Sequence, residues 1–246
     1  QDEEEDFRLH FITSGIMKTP ELSVLEAHKE IQSFSERMQR MFGMVRELLK
    51  ESSTEYNKGK EREKHEQEFN KLYSRIEKYE GISDNMELEI ANYLDQVSDA
   101  HLSDETKAKI RAMLREISEL ESIGDACFNM ARTINRKFST KQDHFNEKQY
   151  THLHQMMELT DNSLTQMNQL MGGRKESFDV NRTFNIENEI NNFRNQLKAQ
   201  NIIDINNHEY TYAVGTIYMD LINECEKLGD YVVNVVEARM GTRQKD

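Results

Sequence analysis

Glu121 and Asp125 stand four residues apart within "ELESIGDACFNMAR", and Glu226 and Asp230 repeat the spacing within "ECEKLGDYVVNVVEAR". Both stretches read Glu-x-x-Gly-Asp-x-x-x-Asn and end on Asn129 and Asn234. Residues at i and i+4 of a helix are neighbours on one face, and like charges placed there repel by roughly 0.2–0.5 kcal/mol. The repulsion grows when water is partly removed. Each half carries a second pair upstream: Glu80 and Asp84 in "EGISD", then Glu187 and Asn191 in "ENEIN". Two such pairs on adjacent helices call for something positive between them, either Lys or Arg or a metal ion. Carboxylate oxygens suit hard or borderline cations such as Mg, Ca, Mn and Fe.

A single acidic pair in an acidic chain is an ordinary solvated face. The duplication is what raises the cation reading. The upstream pairs lie 107 positions apart and the Glu-x-x-Gly-Asp pairs 105 apart, so the same order of features occurs twice. The acids fall beside the apolar rows Leu120–Gly124–Cys127 and Leu228–Val232–Val235, which predicts half-burial in a helix–helix groove. Gly124 and Gly229 remove a side chain where a neighbouring helix would approach. None of the eight His has Glu three positions before it, which disfavours the Glu-x-x-His chemistry of di-iron bundles.

The elements that must position these residues are helices. The chain has 246 residues, one Pro, no Trp, and a composition rich in helix formers, so the expected class is all-α. Thr19 is a good N-cap and Pro20 suits the first helical position. A long first helix follows, with Ile31, Phe34, Met38, Met41, Phe42, Val45, Leu48 and Leu49 on its buried face. A turn is expected over 52–60, then a second helix through 69–94. Ser103 is a candidate N-cap for a third, which carries Ile110 to Phe138. The polar stretch 139–149 reads as a linker. A fourth helix ends at Gly172-Gly173, a fifth spans about 176–200, "IDINNH" turns the chain, and a sixth spans about 208–240. Six helices, three per half, predict two tandem three-helix bundles over 19–140 and 141–246, preceded by a connector at 1–18.

The net charge of −13 argues against nucleic acid, which demands a basic stripe. Mean hydropathy is −0.85, and no apolar run reaches the ~20 residues of a membrane helix. Cys127 and Cys225 form no metal-binding spacing and read as small core residues, consistent with a reducing setting. The Met-rich helices read as core filler, and "EREKHEQE" and "HLH" at 152–154 as surface.

The repeated Glu-x-x-Gly-Asp stretches resemble the motif of the PhoU family. The resemblance implies two tandem three-helix bundles and multinuclear clusters of Fe, Zn, Mn or Mg. It implies Glu80, Asp84, Glu121 and Asp125 as ligands in the first half, and Glu187, Asn191, Glu226 and Asp230 in the second; the helix spacing adds Asn129, Asn234, Gly124 and Gly229 as residues lining the grooves. Asn191 stands where the family pattern has Asp, which weakens the second set. Ser122 and Lys227 stand where Arg is common. "GIMKTPELSVLEAHKEI", "EIANYL" and "EINNFRNQL" further resemble the PhoU-like region at the C-terminus of bacterial sodium/phosphate cotransporter proteins. That implies a non-enzymatic regulatory domain at the cytoplasmic face of the inner membrane. Its partners would be an upstream transport domain in the same chain and a second copy of itself. The start at Gln1, with its acidic run, suits a piece whose membrane part precedes it. A free-standing PhoU regulator of an ATP-driven phosphate transporter and its sensor kinase is the alternative, and a carboxylate-bridged phosphatase a more distant one.

Overall fold

The computed structural model describes residues 9–12, 18–53, 60–139 and 144–241. Most of the expected connector at 1–18, the tip of the expected turn at 52–60 and the boundary between the expected halves lie outside them. Six long helices follow in order: α1 Pro20–Glu51, α2 Lys60–Ser98, α3 Asp104–Ser139, α4 Glu147–Gly172, α5 Val180–Asn206 and α6 Tyr212–Met240. Among the described residues there is no strand, and no helix is long and apolar enough to cross a membrane.

Local signals set most starts. The Thr19 hydroxyl accepts from Leu22 N, and Pro20 opens α1. Ser103 accepts from Thr106 N at 3.2 Å before α3. Asn146 and Gln149 form a capping box at α4, so this helix starts inside the stretch read as linker. Two boundaries differ further from expectation. Helix α2 begins at Lys60, well before Phe69. The Lys/Glu/Arg-rich opening forms helix without core contacts, helped by Arg62 and Glu66 at 3.2 Å. Helix α5 runs through the "IDIN" of the expected turn. Asn201 Nδ2 donates to Gly215 O at 3.3 Å, and the Ile205 side chain fills the space a Cβ at Gly215 would need. Those contacts with α6 hold the last turns helical. The chain then leaves through His208, whose φ is 59°.

The three helices of each half pack against one another, and the halves meet along α3 on α6 and α1 on α4. The central pair is antiparallel. Glu116 meets Arg239, Glu119 meets Asn234, and Met130 meets Cys225. Helices α1 and α4 are antiparallel too, with Gln39 at 2.9 Å from Thr165 and Tyr150 reaching the Ser52 carbonyl at 3.2 Å. One apolar core runs through both halves. Met38, Met41, Met156, Met157 and Met167 are fully buried, as are both cysteines, so these residues act as core filler. Leu9 and Ile12 of the connector pack on this core. The backbone N–H groups of His10 and Phe11 donate to the buried Glu30 carboxylate at 3.3 and 2.8 Å.

A candidate cation groove and its duplicate

Helix α2 crosses α3 at Gly124. A Cβ there would stand 2.7 Å from Ser83 Oγ and 3.2 Å from Met38 Sδ, so any side chain at this position would have to displace Ser83. The close crossing brings the acidic faces of α2 and α3 together. Oxygens of Glu80, Asp84 and Asp125 lie within 4.8 Å of one another. Oxygens sharing one hard cation sit about 3–5 Å apart, so the three fit a common ion. Glu121 joins them through hydrogen bonds with Asp125 and Asp84.

The electrostatics match that crowding. Partial burial, then hydrogen bonds with Asp125 and Asp84 and the charges of Asp125 and Glu87, push Glu121 up to about 8. Partial burial followed by repulsion from Asp84 and Asp125 raises Glu80, against a smaller opposing pull from Arg132. Glu87 is raised by the same burial and the same two neighbours. The groove is thus built from five carboxylates, Glu80, Asp84, Glu87, Glu121 and Asp125. Sequence reading missed Glu87. It lies seven positions after Glu80, two helical turns along the same face, and that spacing was available as a signal.

The second groove repeats the backbone and changes the charges. A Cβ at Gly229 would meet only Ile190 Cδ1, at 3.3 Å. Ile190 occupies the position equivalent to Ser83. Glu187 and Asp230 share a hydrogen bond. Burial first, then Asp230, raises Glu187 to about 7, and burial raises Asp230. Glu226, however, is held by Arg194, with Nε to Oε2 at 3.0 Å. Arg194 stands 107 positions after Glu87, so a guanidinium replaces a carboxylate at the equivalent place. Asn191 replaces Asp84, and its Oδ1 is buried without a hydrogen-bond partner.

Asn129 and Asn234 do not face the acids. Eight residues advance a helix by about 80° beyond two full turns, which swings them toward the α3–α6 seam. Asn234 Nδ2 donates to Glu119 at 3.1 Å, and Asn129 accepts from Arg132 Nη2 at 2.6 Å. Elsewhere, His65 of the charged α2 opening is tied to the end of α1, its Nδ1 at 2.9 Å from Glu51 Oε2. His152 and His154 are half-buried rather than fully exposed, and His152 lies edge-on to Phe193.

Six antiparallel helices in two pseudo-equivalent halves, with an acidic groove in each, define a PhoU-like all-α fold. The phosphate transport system regulatory protein PhoU from Streptococcus pneumoniae superposes with a TM-score of 0.61 at 15% identity, over 88% of this chain and 97% of that one. PhoU from Pseudomonas aeruginosa gives 0.67 at 8% identity, over 89% and 96%. At such identities the likeness is one of fold. No family model matches the chain. No curated protein sequence matches it either.

Proposed function

We propose that this chain is a PhoU-like regulatory module of phosphate transport, and that its first-half groove binds one or more divalent cations. The observation that carries the cation reading is the convergence of Glu80, Asp84 and Asp125 within 4.8 Å, with Glu121 raised beside them. The mutual repulsion of crowded carboxylates is relieved by a dication, which supplies the missing positive charge. Oxygen ligands alone favour Mn, Fe or Mg, and Zn accepts them as well. The role is regulatory rather than catalytic, a reading supported by the fold shared with the phosphate transport system regulatory protein PhoU of Streptococcus pneumoniae.

The finer reading is a domain at the cytoplasmic face of the membrane, attached to a sodium-dependent phosphate transport domain and restraining it. Its support is the resemblance of "GIMKTPELSVLEAHKEI", "EIANYL" and "EINNFRNQL" to that cotransporter subgroup. Regulation would follow from binding one state of the transport domain better than the other. Equilibrium dialysis against Mn, Fe, Zn and Mg, followed by elemental analysis, tests the groove. At least one ion is expected in wild type and lost in Asp125→Asn. Protein that takes up none of the four overturns the cation reading. Phosphate uptake in cells with and without the chain tests regulation. Uptake that requires sodium and changes when the chain is deleted supports the cotransporter reading. A change confined to ATP-driven uptake supports a free-standing regulator instead.

A further inference from the structure

The duplication places two equivalent clefts beside the α3–α6 crossing, and only one of them is closed. On the closed side Glu119 accepts from Asn234 at 3.1 Å, and Arg115 faces Glu237 at 3.8 Å. Arg239 reaches the fully buried Glu116 beside them. Each of these ties joins one half to the other.

On the opposite side two of the equivalent positions, 105 apart, turn to partners on their own helices. Asn129, the counterpart of Asn234, accepts from Arg132, and Glu224, the counterpart of Glu119, pairs with Lys227 at 3.4 Å. Arg132 and Asp220 stand where the closed side has Glu237 and Arg115. The result is an open cleft of about 600 Å³ between α3 and α6, also bordered by Tyr73 of α2. That size suits a small organic ligand.

We propose that this cleft binds a phosphate-bearing small molecule. Arg132 and Arg136 are four apart on one face of α3, and Lys227 reaches the same cleft from α6. Two guanidiniums from α3 and an ammonium from α6 thus line one cleft, and guanidiniums bind phosphate oxygens in pairs. The Phe128 ring lies 5.1 Å from the Arg132 guanidinium and restricts where it points. Asp220 and Glu224 border the same space and can accept hydrogen bonds from hydroxyl or amino groups on the rest of the ligand. The ligand would bridge both halves where the closed side uses the chain's own ion pairs.

The cleft shares none of the groove's five carboxylates, although Arg132 also pulls on Glu80, so its test runs with chelator present and reads binding in metal-free protein. Calorimetric titration of the full chain with inorganic phosphate and with adenosine monophosphate, at physiological salt, reads it directly. Saturable binding of either is expected, and the arm that binds more tightly identifies the source of the phosphate group. The double variant Arg132→Gln/Arg136→Gln should weaken binding at least tenfold, and Lys227→Glu should act in the same direction. Circular dichroism of both variants checks that the helices are retained. No saturable binding of either compound overturns the proposal, as does binding unchanged in folded variants.

Discussion

In the first groove five carboxylates face one another; in the second, three remain, and Arg194 holds Glu226 at 3.0 Å. The two share a helix crossing and differ in what relieves the charge. The second half supplies its own cation from α5, and the proposed reading gives that role in the first half to a metal ion. The contrast shows how a duplicated architecture can keep its packing while one copy exchanges a crowd of carboxylates for an ion pair. The change needs only two positions on one face of α5, Asn191 and Arg194, so the helices need not move.

The sharpest way to break this comparison is to neutralise matching acids. Asp125→Asn should weaken divalent-cation binding about 100-fold or more, since even outer-shell losses cost about 10–100-fold. Asp230→Asn should change it by less than about threefold. Equal losses, measured by calorimetry, would erase the distinction. The reverse experiment restores the first pattern in the second half. Asn191→Asp combined with Arg194→Glu should add a second equivalent of bound metal by elemental analysis. An unchanged stoichiometry would mean that more than these two positions separates the grooves.

The crossings should differ as well. Gly124→Ala places a Cβ 2.7 Å from Ser83 Oγ and is expected to destabilise by about 1–2 kcal/mol in urea denaturation. Gly229→Ala meets only the tip of Ile190 at 3.3 Å, and the helix-propensity gain of about 1 kcal/mol should offset it. A larger loss at Gly229 would contradict the close-approach argument.

The smallest effect concerns pH in metal-free protein. Glu121 and Glu187 are raised from the ordinary 4.5 to about 8 and about 7, so the folded state holds protons that the unfolded chain has released. Their contribution to stability is complete below about 4.5 and is lost as pH rises through those values. Thermal midpoints should therefore carry a downward trend from pH 5 to pH 8. Glu121→Gln should flatten it up to about pH 8, and Glu187→Gln only to about pH 7. Identical slopes in wild type and both variants would show that neither carboxyl is crowded.

Much of the groove was legible because a helix converts spacing into a face. Glu80, Asp84, Glu121 and Asp125 could be placed beside an apolar row without coordinates, and glycine marked the crossing. Glu87 and Arg194 were equally visible at their two-turn spacing, yet their importance depends on which acids face them from the partner helix. The end of α5 was misread for a related reason: "IDINNH" resembles a turn until Ile205 and Asn201 find Gly215 on α6. The three-cation cleft could not be read at all. Arg132 and Arg136 belong to one half and Lys227 to the other, and no periodicity links them.

The sequence by itself determined six helices, their order, the duplication and the acids beside the core, because each of these follows from composition and spacing within one helix. The tertiary structure alone decided how the charges are answered. It closed Arg194 onto Glu226, left the first groove's carboxylates facing one another, and sealed one side of the α3–α6 seam while opening the other. Charge balance depends on distances between helices, and only packing sets those distances.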